Sequence, residues 1–158
     1  MAWTTIGFGK HKGRTLPQVL LSDPDWFFWA VDKNVFTGNN SYLTAEAGDL
    51  AYKARNIKIP KPDPENWSLG YVLGAGNRLW DVMIVKSNEF KHHDFSGGLA
   101  CDRLNFGVVR LLSKYDKLGG KILLKRVKEY FCRDGTARFT KKWCEQFFSA
   151  ENNFVWPA

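Results

Sequence analysis

The chain has 158 residues and a net charge of +7, with 44% hydrophobic and 25% charged residues. This length predicts one domain with a substantial core, and no apolar run is long enough to span a bilayer. The positive charge favours a polyanionic partner, nucleic acid above all, and we expect neither a small-molecule substrate nor a membrane as partner.

The N-terminal segment combines a predicted strand with a glycine-rich motif. Trp3–Phe8 is β-branched and aromatic, as strands are, and it runs into GFGKHKGRT at Gly7–Thr15. The motif is not an NTPase phosphate loop, because five residues separate Gly7 from Gly13 and Arg14 stands where that loop needs lysine. A dinucleotide fingerprint is excluded as well, since its glycines would have to be one residue closer together.

Two interpretations of this glycine motif remain. It is either a tight turn with solvated side chains, or the same turn used as a phosphate contact. In the second interpretation the contact residues are Lys10, His11, Lys12 and Arg14, with the charge of His11 adjustable by pH.

The residues around this motif carry a family resemblance. The pattern FGKHKGRTL, followed by DPDWFFW, resembles the F-G-K-x-K-G-x-x-L…P-x-[YW]-x-x-W pattern of a small bacterial and phage module. That module is similar to the segment after the catalytic domain of exodeoxyribonuclease X-like proteins, and to the quorum-sensing-regulated virulence factor family. The resemblance covers about a fifth of the chain and implies a context of DNA metabolism without implying an activity. The matching positions are Phe8, Gly9, Lys10, Lys12, Gly13, Leu16, Pro24, Trp26 and Trp29.

Three helices are predicted between residues 16 and 56. A short one begins after Thr15 with Pro17 in its first turn, and a longer one is capped by Ser22 or Asp23. The apolar spacing in residues 41–56 predicts the third helix. In the second helix Trp26 and Trp29 share a face, and the resemblance places them under the glycine turn.

The middle of the chain predicts a β-hairpin between two loops. The proline-rich residues 58–67 read as a stiff connection, and two β-rich runs flank the turn GAGN at residues 74–77. A polar loop is expected from Ser87 to Gly98. Its His92, His93 and Asp94 do not have the spacing of a zinc site, and we expect no metal there.

The C-terminal third holds most of the excess positive charge. Residues 101–158 carry twelve Lys/Arg against six Asp/Glu, and helices are predicted at roughly 105–114, 119–132 and 141–149, the last one capped by Thr140. Lysines line the polar face of the second of these helices. The residues we predict to contact nucleic acid here are Arg110, Lys114, Lys117, Lys121, Lys125, Lys128, Arg138, Lys141 and Lys142.

Taken together, these elements predict a single α+β domain in which a small antiparallel sheet with a hairpin is packed against several helices. Within it we distinguish a motif lobe (1–57), a central part (58–100) and a basic helical part (101–158). Three cysteines without CxxC spacing favour the reducing cytoplasm. Neither a nucleophile elbow nor a catalytic pair is found, so we expect no enzyme and no cofactor.

Two functions remain open at this point. The first is nucleic-acid binding, with DNA the expected form, through phosphate contacts of weak sequence specificity. The alternative is a protein-interaction or inhibitor module, of the kind found in phages and mobile elements, that acts on an acidic protein surface.

Overall fold

The computed structural model describes residues 3–61, 66–86, 97–111, 117–132 and 137–157. Within these residues helices predominate, and the strands form two small antiparallel sheets, which confirms the predicted α+β class. The helices are α1 (Leu16–Leu20), α2 (Pro24–Asp32), α3 (Thr44–Arg55), α4 (Val108–Leu111), α5 (Lys117–Cys132) and α6 (Lys141–Ser149). The strands are β1 (Ile57–Lys58), β2 (Trp67–Leu73), β3 (Leu79–Lys86), β4 (Gly97–Cys101) and β5 (Arg103–Leu104).

The three-stranded sheet is built around the predicted hairpin. Strands β2 and β3 pair antiparallel across the glycine turn, and β4 adds to the other side of β2 in the order β3-β2-β4. The sequence placed Gly97 and Gly98 in a loop, and the structure corrects this by making them the first residues of β4. Glycine has low strand propensity, which is why these two residues were predicted to lie in a loop. His92, His93 and Asp94 lie outside the described residues.

The second sheet joins distant parts of the chain. Strand β1 pairs antiparallel with β5, with Ile57 opposite Leu104, and Ile57 also forms an isolated bridge with Phe154. Both Ile57 and Phe154 are fully buried. The C-terminal segment is therefore tied into the same core as the residue that follows α3.

The N-terminal helices begin where their caps predict. Thr15 and Gln18 form a capping box at the start of α1, and the Asp23 side chain accepts a hydrogen bond from the Trp26 backbone N–H at the start of α2. The structure thus selects Asp23 over Ser22 as the cap of α2. Pro24 occupies the first position of that helix, where a missing N–H costs nothing.

The predicted strand at Trp3–Phe8 is wrong. Only Thr5 makes a β-type contact, an isolated bridge to Thr15. The Ile6 N–H donates to the Arg14 carbonyl at 2.8 Å, and the Gly13 N–H donates to the Ile6 carbonyl at 2.9 Å. Since α1 begins at Leu16, directly after the bridge residue Thr15, the pairing does not extend into a longer ladder.

One hydrophobic cluster runs through helices and sheet alike. The largest side chains that are fully buried in it include Phe27, Phe28, Phe106, Phe148 and Phe154. Phe28 is buried beneath Arg55, whose guanidinium lies 5.0 Å from the centroid of the Phe28 ring. Among the described residues no helix is both long and apolar enough to cross a membrane.

Candidate nucleic-acid interface

The glycine motif forms a closed turn that carries two exposed lysines. Gly9 and Gly13 have φ of +68° and +89°, a region that residues with a Cβ rarely adopt, and the chain between them makes one 3-10 turn. Lys10 and Lys12 are exposed on this turn, and Arg14 is half-buried beside it. The motif is therefore a structural turn that carries cations.

His11 does not belong to the exposed cations, and this corrects the sequence prediction. Its side chain is buried, with Nε2 at 3.3 Å from Oδ2 of Asp23 and the ring edge-on to Trp26 at 4.7 Å between centroids. Burial lowers the pKa of His11, and it outweighs the opposing effect of Asp23, so the imidazole is neutral at physiological pH. Its role is to pack the turn onto α2, where Trp26 and Trp29 lie side by side as expected.

Asp23 connects the turn to the start of α2. Its carboxylate also pairs with the Lys10 ammonium, Oδ2 to Nζ, at 3.0 Å. Burial alone would raise the pKa of Asp23, but hydrogen bonds from Lys10, the Trp26 backbone and His11 hold it below its usual value. Lys10 is therefore engaged by a neighbouring carboxylate, which reduces the positive charge it offers to a partner.

Helix α5 carries exposed cations on one side and core residues on the other. Leu123 and Val127 are buried, whereas Lys121 and Lys125 are exposed, as the helical projection predicted. Lys128 is half-buried, and its ammonium lies 5.1 Å from the centroid of the Phe139 ring. Two of the three lysines on the predicted polar face of this helix are thus fully presented to solvent.

The structure brings the glycine motif and α5 together. Arg14 and Lys121 line one surface pocket of about 320 Å³, which Asp23 and Asp25 also border. The approach of α5 to α2 is close at Gly120, where a Cβ would lie 3.6 Å from Cγ of Pro24. Two regions that the sequence could only name separately therefore share one surface.

The remaining predicted residues fall into three groups. Arg110 is a structural residue, with Nε at 2.9 Å from Oδ2 of Asp32 and one guanidinium nitrogen at 3.7 Å from Asp25. Lys141 and Lys142 are exposed at the start of α6, and Arg138 is exposed three residues before it. Lys117 is the first residue of α5, and Lys114 lies outside the described residues.

Sequence reasoning missed an exposed aromatic beside this surface. Trp80 in β3 is 68% exposed and lines a second groove, of about 450 Å³, together with Leu118 and Lys121. The run LWDVMIV is apolar at both odd and even positions, so its periodicity could not show which side chain faces solvent. Only the pairing of β2 with β3 shows that Trp80 faces solvent.

The described part of the chain contains no group of three or more His, Cys, Asp or Glu residues placed to hold a metal ion. No family model matches the chain, and comparisons with curated proteins and with solved structures found no similar protein. The resemblance of the glycine motif to a bacterial and phage module therefore stays a prediction.

Proposed function

We propose that this protein binds nucleic acid, with DNA the expected form, through phosphate contacts on the joined surface of the glycine turn and α5. The observation that carries the proposal is the shared pocket of Arg14 and Lys121, in which cations of the glycine turn and of α5 lie on one surface. Lys12 and Lys125 extend this surface as exposed cations. Several cations on one surface attract the negatively charged phosphate backbone.

The carboxylates of the pocket determine where a phosphate can lie. Asp23 and Asp25 border the pocket with Arg14 and Lys121, so a phosphate that entered deeply would meet negative charge. Contact is therefore expected along the rim, at the exposed lysines. Such contacts position a nucleic acid without reading its bases, which gives weak sequence specificity.

The test is fluorescence anisotropy of labelled DNA and RNA, titrated with nuclease-treated protein at several salt concentrations. A variant carrying Lys121→Glu and Lys125→Glu should bind more weakly, and the log–log salt slope should become shallower by about 1.5, since each phosphate contact contributes about 0.7–0.9. The charge-matched control reverses Lys33 and Lys58, which are exposed outside the glycine turn and α5. Equal losses in both variants would show that net charge alone is responsible, and unchanged affinity in the first would remove α5 from the interface.

A second candidate function is favoured by the exposed Trp80 and Leu118 beside Lys121. Aromatic anchors next to cations are also typical of interfaces with acidic proteins. An inhibitor or interaction module would purify with an acidic protein after nuclease treatment, and Lys121→Glu would abolish that capture. Absence of nucleic-acid binding at low salt, together with such a capture, would favour this second function.

We also propose that the protein acts in the cytoplasm. Cys101 and Cys144 are free cysteines, in no disulfide. Burial raises the pKa of Cys144 to about 12, which keeps this thiol protonated and unreactive. Unpaired cysteines of this kind are typical of a reducing compartment.

A further inference from the structure

Trp80 is turned outward by an irregularity in the hairpin. Val72 of β2 pairs with Asp81, whereas the next residue, Leu73, pairs with Leu79. Trp80 is therefore the extra residue of a β-bulge, with no partner across the ladder. A bulge of this kind redirects a side chain, which explains how a tryptophan within an apolar strand comes to be 68% exposed.

The indole of Trp80 lies over the backbone at the end of the hairpin. A Cβ added to Gly74 would be 3.4, 3.5 and 3.7 Å from Cδ2, Cγ and Cε3 of the indole. Three ring atoms at nearly equal distance mean that one face of the ring is turned toward Gly74. The opposite face is left toward solvent, as a flat surface that another planar group can cover.

The next residues fix this tryptophan to α5. The Arg126 guanidinium donates to both carboxylate oxygens of Asp81, at 2.7 and 3.0 Å, and the Tyr130 hydroxyl donates to the Val82 carbonyl at 2.6 Å. The hydrogen bonds that Arg126 donates to Asp81 and then to Glu129 raise its pKa, so this ion pair holds at every physiological pH. These contacts with α5 hold the strand in place directly after the bulge, so the Trp80 ring is preorganised before any partner binds.

The surroundings of the ring combine apolar contact with positive charge. The groove beside Trp80 is lined by Leu118, Ile122, Arg78 and Lys121. Lys121 also lines the pocket that contains Arg14. The aromatic groove therefore lies next to the proposed phosphate surface, and Lys121 belongs to both.

We propose that the groove at Trp80 binds single-stranded nucleic acid, with an unpaired base stacked on the exposed indole face and its neighbouring phosphates at Lys121 and Arg78. This inference rests on the proposed nucleic-acid binding and names the form of nucleic acid. Bases in a duplex are stacked on each other and are not available to a protruding ring, whereas every unpaired base offers a flat face.

The extent of the apolar surface favours a base over a protein. Among the described residues four large apolar side chains are exposed, and only Trp80 and Leu118 of these line the groove. A stable protein interface needs about 800 Å² from each partner. One ring and one leucine, flanked by cations, match the size and charge of a nucleotide better.

The experiment measures the affinity of wild-type protein, Trp80→Ala and Trp80→Phe for a labelled oligothymidylate and for a labelled duplex of equal length. We expect Trp80→Ala to lose about tenfold or more in affinity for the single strand, with little change for the duplex, since aromatic stacking favours unpaired bases. Trp80→Phe keeps a ring and should retain most of the affinity. Circular dichroism and thermal unfolding establish that all three proteins are folded.

The outcomes separate this inference from the proposed function. If wild-type protein binds both nucleic acids and Trp80→Ala binds them equally well, stacking is overturned while phosphate binding stands. Equal losses for single strand and duplex would also overturn it. If the wild type binds neither, both proposals fail. As a second measurement, an oligonucleotide with 5-iodouracil should photo-crosslink to Trp80, and crosslinks elsewhere alone would place the bases on another surface.

Discussion

The Tyr71 hydroxyl offers a sharp test of how the sheet is held to the rest of the chain. Tyr71 lies in the central strand β2 and is 2% exposed. Its oxygen accepts a hydrogen bond from the Asn105 backbone N–H at 2.7 Å and lies 3.5 Å from the Asn105 carbonyl. Asn105 stands between β5 and α4, so this one oxygen joins the three-stranded sheet to the connection that leads into the C-terminal helices.

Substitution of Tyr71 by phenylalanine removes that oxygen and leaves the ring in place. The variant loses one hydrogen bond of about 1 kcal/mol and leaves the Asn105 N–H without its acceptor, so the free energy of unfolding should fall by about 2 kcal/mol. For a protein of this length that corresponds to a decrease in Tm of about 4–8 °C. Urea unfolding should show a lower midpoint with an unchanged m-value.

Tyr42→Phe is the matched control. Tyr42 is 48% exposed, and its oxygen accepts from the Gly7 N–H at 2.9 Å. Water can replace that oxygen, so the loss should stay below about 0.5 kcal/mol. Equal losses in the two variants, or a loss below about 0.5 kcal/mol for Tyr71→Phe, would refute the assignment of Tyr71 as a structural tie.

The pH dependence of Tyr71→Phe gives an independent check. Burial raises the pKa of Tyr71 above its value in the unfolded chain. The stability that this shift contributes is fully present below the unfolded pKa of about 10 and is lost as pH rises toward the folded value. The wild type should therefore lose more stability than the variant between about pH 9 and pH 11, measured by urea unfolding.

Two further predictions concern buried groups. Because burial lowers the pKa of His11, its stabilising effect is present above the unfolded pKa of about 6.5 and is lost as pH falls through the folded value. Unfolding in urea at about pH 7.5 and pH 5 should show this loss in the wild type and a smaller one in His11→Gln; equal losses would contradict the assignment. Lys53 is 2% exposed and donates to the Phe148 carbonyl at 2.9 Å, so Lys53→Met should lower the free energy of unfolding by about 1–3 kcal/mol, because that buried carbonyl loses its donor. An equal loss in Lys58→Met, at an exposed lysine, would refute this.

The parts of the fold that could be predicted from sequence are those with local signals. The cap and proline at the start of α2, the Thr140 cap of α6 and the glycine turn between β2 and β3 each depend on residues close together in the chain. For these elements type and position were correct. Local hydrogen bonding determines them, and tertiary contacts do not override it.

The parts that could not be predicted depend on contacts between distant residues. His11 reads as a surface histidine among lysines, and only the position of Trp26 shows that it is buried. The bulge at Trp80 exists because Leu73 pairs with Leu79. The residue types within the strand do not indicate this pairing register. Strand β1 is two residues long and is defined by its partner β5.

The same distinction applies to charge and bears on the proposed interface. Thirteen residues of the sequence were candidates for phosphate contact, and if all of them bound single-stranded DNA the salt slope would be about −9. Several of them make contacts within the protein instead. His11 is buried and Lys128 lies over the Phe139 ring. Lys10 and Arg110 form ion pairs with Asp23 and Asp32.

Seven of these candidates remain on the surface in the part of the chain that the structure describes: Lys12, Arg14, Lys121, Lys125, Arg138, Lys141 and Lys142. Contact by the four that belong to the glycine turn and α5 gives a slope of about −3, and contact by all seven gives about −5. A measured slope within these limits would support an interface made of the cations that remain on the surface. A slope of about −6 would mean that Lys10 and Arg110 contact phosphate as well. Their ion pairs would then have to open when nucleic acid binds, and the surface would have to be redrawn around α2.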